Sequence, residues 1–160
     1  MKGLIGVALA TAIFSACGAR RADDSTAVIV PTRDISRNVP PEVKDPNFIL
    51  TVTEVVVNTD NEGASYTRVF VDGREAGKTA VGRKSEVRTL KLKLPIGNQP
   101  VRLEQWVLPR VGEWTRLDDN LQPRERFVRI EDGTIARLEL RFGEGGSSNT
   151  LTLSRESAPR

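Results

Sequence analysis

The sequence predicts an all-β fold, a single antiparallel β-sandwich, and three observations support this prediction. From Asn47 onward, apolar residues recur at every second position, which is the period of a strand with one buried face. Short clusters of Gly, Asp, Asn and Pro interrupt these runs at the spacing of β-turns. No stretch after Asn47 carries the apolar stripe of an amphipathic helix.

Six alternating runs are predicted to be strands. They cover residues 48–57, 66–71, 88–94, 101–108, 124–130 and 134–142. Asp72-Gly73 suits the positive φ angles of a tight hairpin, and Glu131-Asp132-Gly133 is a second tight-turn signal. The alternation predicts one wet face and one core face for the sheets. The predicted core residues are Leu90, Leu92, Leu94, Val101, Leu103, Val107, Leu138, Leu140 and Phe142.

The predicted sandwich domain covers residues 47–142, and residues 143–160 are predicted to be a flexible tail. The tail begins with GEGGSS, which is the composition of a flexible linker. The alternative is that TLTL, at 150–153, adds a final strand.

Composition argues against most catalytic chemistry. The chain has 24 basic and 21 acidic residues, a net charge of +3, one cysteine and no histidine. The small net charge does not fit a nucleic-acid binder. The absence of histidine excludes Ser–His–Asp and Cys–His catalysis and removes a common metal ligand. Asp118-Asp119 is the only adjacent aspartate pair in the predicted β region, and it is predicted to lie in a solvated turn. We therefore expect no enzyme activity, cofactor or metal.

The N-terminus is typical of a signal peptide. Lys2 supplies a positive charge, residues 4–14 are apolar, and the small residues Ser15 and Ala16 precede Cys17. The apolar run is about half of the roughly 20 residues that a membrane-spanning helix needs. Cys17 has no second cysteine with which to form a disulfide within the chain.

Phe14-Ser15-Ala16-Cys17 resembles the lipobox of bacterial lipoproteins, with Phe14 where Leu is usual. The resemblance implies cleavage after residue 16 and attachment of fatty acyl chains, such as palmitate, to Cys17. Two or three acyl chains give a stable membrane anchor, which a single chain does not. Gly18, in place of the aspartate that retains such proteins in the inner membrane, implies the outer membrane. The alternatives are a plain secretory signal with a free thiol, or an uncleaved signal anchor.

Residues 17–46 are predicted to be a flexible tether between the lipidated cysteine and the domain. Four prolines break any helix, and five basic residues balance five acidic ones. A coil of roughly 29 residues reaches about 30 Å on average. The alternative for residues 27–30 is that they add an edge strand to the domain.

Two stretches, VFVDGREAGKTAV (69–81) and LKLKLPIGNQPVRLE (90–104), resemble the PEGA-type module of envelope proteins. The matching positions are Val69, Val71, Asp72, Gly73, Gly77, Lys78, Thr79, Leu94, Gly97 and Val101. Ala80 and Gln99 stand where the family usually has proline and histidine. The resemblance implies a small sandwich of the immunoglobulin, PEGA or transthyretin kind that does not catalyse a reaction.

Two surfaces are candidate binding sites. Tyr66, Phe70, Trp106 and Phe127 are predicted to share strand faces with Arg68, Glu104 and Arg129, and could form a platform for a sugar or a protein. The alternative is that these rings cover the rim of the core. Arg83, Lys84, Arg88, Lys91 and Lys93 could form a basic patch for anionic glycans or lipid headgroups. The alternative is that lysines on an edge strand prevent strand association.

Together these features predict a lipid-anchored lipoprotein of the cell envelope. The leading hypothesis is a non-catalytic binding or structural module that serves as an accessory part of an envelope complex. The other hypothesis is a lipoprotein that binds glycan or peptidoglycan through the aromatic residues around Trp106.

Overall fold

The computed structural model describes residues 39–58, 62–109 and 112–159. The predicted signal peptide, Cys17 and the tether up to residue 38, including the 27–30 segment, lie outside these residues. Residues 39–46, the end of the predicted tether, contain no strand. Within the described parts of the chain, no helix has the length and apolar character needed to cross a membrane.

The described residues form ten β-strands and a short 3-10 turn at Glu144–Gly146. The strands are β1 (Phe48–Glu54), β2 (Ala64–Val71), β3 (Arg74–Lys78), β4 (Gly82–Arg83), β5 (Arg88–Leu92), β6 (Gly97–Leu108), β7 (Thr115–Arg116), β8 (Arg126–Ile130), β9 (Thr134–Phe142) and β10 (Asn149–Ser157). All six predicted strands are present. Of the four additional strands, β3, β4 and β7 contain few apolar residues, so hydrophobic periodicity could not identify them.

The strands build two sheets, which confirms the predicted β-sandwich. One sheet has four strands in the order β10-β9-β1-β5. The other has six, in the order β3-β2-β6-β7, with β4 paired to β2 and β8 paired to β6. The prediction of a wholly antiparallel fold is wrong for one pair, because β1 and β9 run parallel, with Leu50 opposite Leu138. A parallel pair needs a long connection, which the intervening strands supply.

Both predicted turns are present, but only the first joins two strands that pair with each other. Asp72 and Gly73 have φ angles of 50° and 73°, and they join β2 and β3 as a hairpin. Gly133, with a φ angle of 66°, lies in the turn between β8 and β9. That turn carries the chain from the six-stranded sheet to the four-stranded one, so the neighbouring strands do not pair with each other.

The core lies between the sheets and is aliphatic, with two phenylalanines. It contains Phe48, Leu50, Val52, Val69, Leu90, Leu92, Leu94, Val101, Leu103, Val128, Ile130, Ala136, Leu138, Leu140 and Phe142. All the residues that the sequence predicted to lie in the core are buried, except Val107, which is half-buried. One buried polar side chain, Asn47, holds the edge of this core. It donates from Nδ2 to the carbonyl of Leu94 at 2.8 Å, and its Oδ1 accepts from the Leu94 N–H at 2.7 Å.

The predicted flexible tail is wrong from residue 149 onward, because β10 is a nine-residue strand at the edge of the four-stranded sheet. Leu151 lies opposite Leu140, and Leu153 lies opposite Leu138, so both leucines pack against the core. Burial of these two side chains outweighs the flexibility of the glycine-rich segment before them. The glycines form the turn instead, with Gly145 and Gly146 at φ angles of 61° and 73°.

We expect Leu153→Ala to lower the free energy of unfolding by about 1–2 kcal/mol, less than for a fully buried leucine because Leu153 is only half-buried. Urea denaturation of the full chain would measure this loss. Thr150→Ala, at an exposed position of the same strand, is the matched control and should change stability by less than about 0.5 kcal/mol. Equal stability of both variants would contradict the packing of β10 on the core.

Candidate functional site

The outer side of the six-stranded sheet carries the predicted aromatic residues. Tyr66 on β2 lies directly opposite Trp106 on β6, and Phe70 lies opposite Arg102 two positions along β2 from Arg68. Phe127 on β8 lies opposite Pro100 of β6 and is 65% exposed. Trp114, just before β7, joins them. We refer to the surface formed by Tyr66, Phe70, Trp106, Trp114 and Phe127 as the aromatic face.

Three of the rings form one cluster. The rings of Tyr66 and Trp106 are parallel to within 4°, with their centroids 6.2 Å apart. The Trp114 ring meets Tyr66 edge-on, at a centroid separation of 4.9 Å and an angle of 68°. Offset-parallel and edge-on contacts are the arrangements that aromatic rings prefer. All three residues are half-buried, and partial burial raises the pKa of the Tyr66 hydroxyl.

Cationic side chains lie over the rings. The Arg102 guanidinium is 4.1 Å from the centroid of Phe70, and the Arg68 guanidinium is 5.1 Å from it on the same face of the sheet. Arg68 is also 6.0 Å from the Trp106 centroid, and Lys78 Nζ is 5.6 Å from that of Tyr66. These distances fall within the range of cation–π attraction. Much of the ring surface that a sugar would stack on therefore already contacts a cation.

One glutamate lies at the centre of the arginines. Glu104 forms an ion pair with Arg102, and its carboxylate is 3.9 Å from Arg68 and 3.7 Å from Arg116. Only 12% of the Glu104 side chain is exposed. Arg68 also donates to Glu75, which holds the pKa of that carboxyl below its ordinary value. The three arginines thus surround one largely buried carboxylate, and Arg68 and Arg116 each have a second carboxylate partner, in Glu75 and Asp119.

Two hydrogen-bond donors of this surface have no partner among the described residues. They are the indole N–H of Trp106 and Nε of Arg116, and both atoms are buried. Trp106 lies opposite Arg116 in the β6–β7 pairing, so the two donors belong to the same part of the sheet. Tyr, Trp and Arg are the residues that contribute most to protein–protein interfaces.

The structure places Tyr66, Phe70, Trp106 and Phe127 on the outer side of one sheet, and it adds residues that the sequence analysis did not include. Arg68 and Glu104 lie opposite each other on this face, and Arg129 lies at its far end, where it pairs with Glu131. The sequence pattern did not place Trp114, Lys78 or Arg116 on this face. Trp114 precedes a strand of only two residues, and no periodic signal marks so short a strand.

The predicted basic patch is wrong as a single surface. Its five residues lie in different places: Arg83 is exposed on β4, Lys84 forms an ion pair with Glu54, and Arg88 is only 3% exposed. Arg88 lies in the alternating pattern of Leu90 and Leu92, and this places its side chain on the core face of β5. The alternation of residues 88–92 therefore indicated that Arg88 is buried, whereas the number of basic residues nearby suggested a surface patch.

Lys91 does lie on the exposed side of β5, which is an edge strand, and Lys93 is exposed just after the end of that strand. This is the placement predicted for lysines that prevent strand association. They also border a groove of about 700 Å³ that Ile49, Leu94 and Ile135 line from the apolar side. Acidic residues at Asp45, Glu131 and Asp132 border the same groove, so it has no uniform charge.

Arg88 belongs to a buried charged group at one end of the sandwich. It donates to the hydroxyl of Ser65, and Lys84 Nζ is 3.7 Å from Oε1 of Glu54. Burial raises the pKa of Glu54 and lowers that of Arg88, although each carries a charge that favours ionisation of the other. Among the described residues, Glu54 Oε2 and Arg88 Nε and Nη2 have no hydrogen-bond partner. The group is costly to bury and depends on all of its members.

The carboxylate pair considered for catalysis lies in an exposed turn. Asp119 accepts a hydrogen bond from Arg116 at 2.6 Å, and the backbone carbonyl of Asp118 accepts from Leu121 and Gln122. In the described ranges, no three Cys, Asp or Glu side chains are grouped closely enough to hold a metal ion.

Comparisons with protein-family models, with curated protein sequences and with solved structures each give no match to this chain. The function of the aromatic face therefore has to be inferred from its own chemistry.

Proposed function

We propose that this protein is a non-catalytic lipoprotein of the cell envelope that binds another protein through its aromatic face. In this proposal, acyl chains on Cys17 hold the domain at a membrane, most simply the outer membrane, and the chain up to the domain acts as a tether. The β-sandwich then serves as an accessory module of an envelope complex. The lipobox-like sequence and the PEGA-like strands support the location and the module type.

The observation that carries the proposal is the composition of the aromatic face. Tyr66, Trp106 and Trp114 form a contiguous ring cluster on the outside of a sheet, where ordinary solvated strands carry polar side chains. Arg68 and Arg102 extend the cluster with planar, weakly hydrated cations. A surface of this kind loses little conformational entropy when a partner covers it, because neighbouring contacts already restrict its side chains.

The same geometry favours a protein over a sugar as the occupant. A sugar ring needs an aromatic face that is open to stack on, whereas guanidinium or ammonium groups lie close to Phe70, Trp106 and Tyr66. Glycan binding is the competing function, and the experiment below distinguishes the two.

Photo-crosslinking at Phe127 tests the proposal directly. A photoreactive phenylalanine analogue at this exposed position should, in native membranes, give a crosslinked product that contains peptides of a second protein, which mass spectrometry would identify. The same analogue at Glu139, exposed on the outer side of the four-stranded sheet, is the matched control and should give no such product. A product at position 127 that a muramidase shortens and that contains no peptides of a second protein would instead support the glycan hypothesis.

A second substitution links the crosslink to the ring cluster. We expect Trp106→Ala to reduce the crosslinked product at position 127 about tenfold or more, because interface tryptophans often contribute 2 kcal/mol or more. Trp106→Phe should restore part of the yield. Circular dichroism of each variant would show that the fold is retained. Unchanged yield in a folded Trp106→Ala protein would contradict the assignment of the aromatic face.

The anchor has its own test, independent of the face. Mass spectrometry of the N-terminal peptide from membranes should show residues 1–16 removed and acyl chains on Cys17. Cys17→Ser should release the protein from the membrane fraction. A bare thiol on a protein that stays in solution would overturn the envelope assignment and leave the binding assignment standing.

A further inference from the structure

The two edges of the four-stranded sheet differ in their chemistry. β5 forms one edge and carries Lys91, with Lys93 just beyond its end, and these charges oppose pairing with another strand. β10 forms the other edge and contains nine residues with no proline, no lysine and an unbroken register against β9. Within the described part of the chain, no strand pairs with its outer side. A long, regular edge of this kind readily accepts another strand.

The residues of β10 identify the strand that fits. Residues 150–154 are Thr-Leu-Thr-Leu-Ser, a sequence that is nearly the same in both directions. In an antiparallel pairing of two copies about Thr152, Leu151 of one copy faces Leu153 of the other, and Thr150 faces Ser154. A two-fold axis requires this kind of self-complementary surface, and the strand supplies it.

The charges of β10 are compatible with the same register. Arg155 would face Asn149 of the second copy, so no two like charges are opposed. Glu156 already forms an ion pair with Arg137 of its own chain. Leu151 and Leu153 are half-buried at the open edge, and their counterparts in the second copy would cover them further.

We propose that two copies of this chain associate through antiparallel pairing of β10, centred on Thr152, to form a continuous eight-stranded sheet across the dimer. The aromatic face lies on the other sheet and stays available in this arrangement. The dimer therefore does not depend on the proposed partner, and its failure would leave that proposal intact.

Sedimentation of the full chain in detergent tests the dimer. We expect a protein mass twice the 17.6 kDa of one chain. Thr152→Lys places two like charges at the two-fold axis, and it should raise the dissociation constant about tenfold or more. Thr89→Lys, an exposed position on the other edge strand of the same sheet, should leave the dissociation constant unchanged. Thr152→Val, which keeps the strand propensity without the charge, should remain dimeric.

Disulfide crosslinking provides an independent readout in membranes. Thr152→Cys should form a disulfide-linked dimer on mild oxidation, because equivalent positions meet at the axis of the pairing. Thr89→Cys should not. A monomeric wild-type chain, or a Thr152→Lys variant that is folded and equally dimeric, would overturn the proposal. Efficient crosslinking at position 89 and not at 152 would also overturn it.

Discussion

Arg88→Met is expected to lower the free energy of unfolding at pH 7 by about 2–3 kcal/mol, because it removes a hydrogen bond from a charged donor and a cation that favours ionisation of the buried Glu54 carboxyl. The substitution keeps most of the apolar volume but removes the donor to Ser65. It also leaves Glu54 buried with only Lys84 nearby, at 3.7 Å. Urea denaturation of the full chain measures the effect. Arg83→Met, at the exposed arginine on β4, is the matched control and should cost less than about 0.5 kcal/mol.

The effect of Arg88→Met should depend on pH through Glu54. Burial raises the pKa of Glu54 in the folded protein above its ordinary value of 4.5, which is the value expected in the unfolded chain. The stability linked to this carboxyl is therefore fully present below about pH 4.5 and is lost as the pH rises through the raised pKa. Removal of the Arg88 charge raises that pKa further, so the deficit of Arg88→Met should be smaller at pH 4 than at pH 7.

A double variant separates the charge from the packing. Glu54→Gln removes the buried negative charge, so the pair Glu54→Gln and Arg88→Met should be at least about 1 kcal/mol more stable at pH 7 than Arg88→Met alone. If the double variant and Arg88→Met were equally unstable at every pH, the buried charge of Glu54 would not be the source of the cost. If Arg88→Met were as stable as Arg83→Met, the buried position of Arg88 would be wrong.

Asn47→Ala should produce the second large loss, about 2–4 kcal/mol, because it leaves both backbone groups of Leu94 without their partner. These hydrogen bonds join Asn47, immediately before β1, to Leu94, two residues after β5, across a sequence separation of 47 residues. The backbone of Asn47 also pairs with Leu92 and Ala136, so this residue connects three parts of the four-stranded sheet. Chemical denaturation gives the loss, and hydrogen exchange at the Leu94 amide should accelerate.

Asn98→Ala is the control for Asn47, since Asn98 is exposed on β6 and its loss should cost less than about 0.5 kcal/mol. Asn47→Asp is informative as well. It can still accept from the Leu94 N–H, but it has no donor for the Leu94 carbonyl when ionised, so it should remain clearly less stable than wild type. Equal stability of Asn47→Ala and Asn98→Ala would contradict the role of the side-chain amide.

The sequence predicts those parts of the fold that depend on local alternation. Leu90 and Leu92 on β5, or Leu138 and Leu140 on β9, reveal their core face by period two alone. The partner of each strand is not local information. Nothing in the order of residues shows that β1 lies between β5 and β9, or that it runs parallel to β9. Short strands such as β3 form because β2 is beside them, with little apolar patterning of their own.

The candidate site shows the same division. Parity along β2 and β6 places Tyr66, Arg68 and Trp106 on one side of their strands. The register between the two strands, which brings Tyr66 opposite Trp106, follows from the whole sheet. The prediction that Arg88 lies on the surface was wrong, because it relied on charge and not on position in the strand. Arg88 is spaced by two residues from Leu90, which is spaced by two residues from Leu92, so the three side chains lie on the same, buried side of β5.

The central position of β1 has a consequence for how and where the domain can fold. Its parallel partner β9 follows it by roughly 90 residues, with Phe48 opposite Ala136, so most of the domain must be present before the two can meet. A nascent chain that has delivered only its first half has nothing against which β1 can complete its pairing. Such a chain stays open until nearly all of it has emerged. A polypeptide that has to thread through a translocation pore before it folds would benefit from this delay.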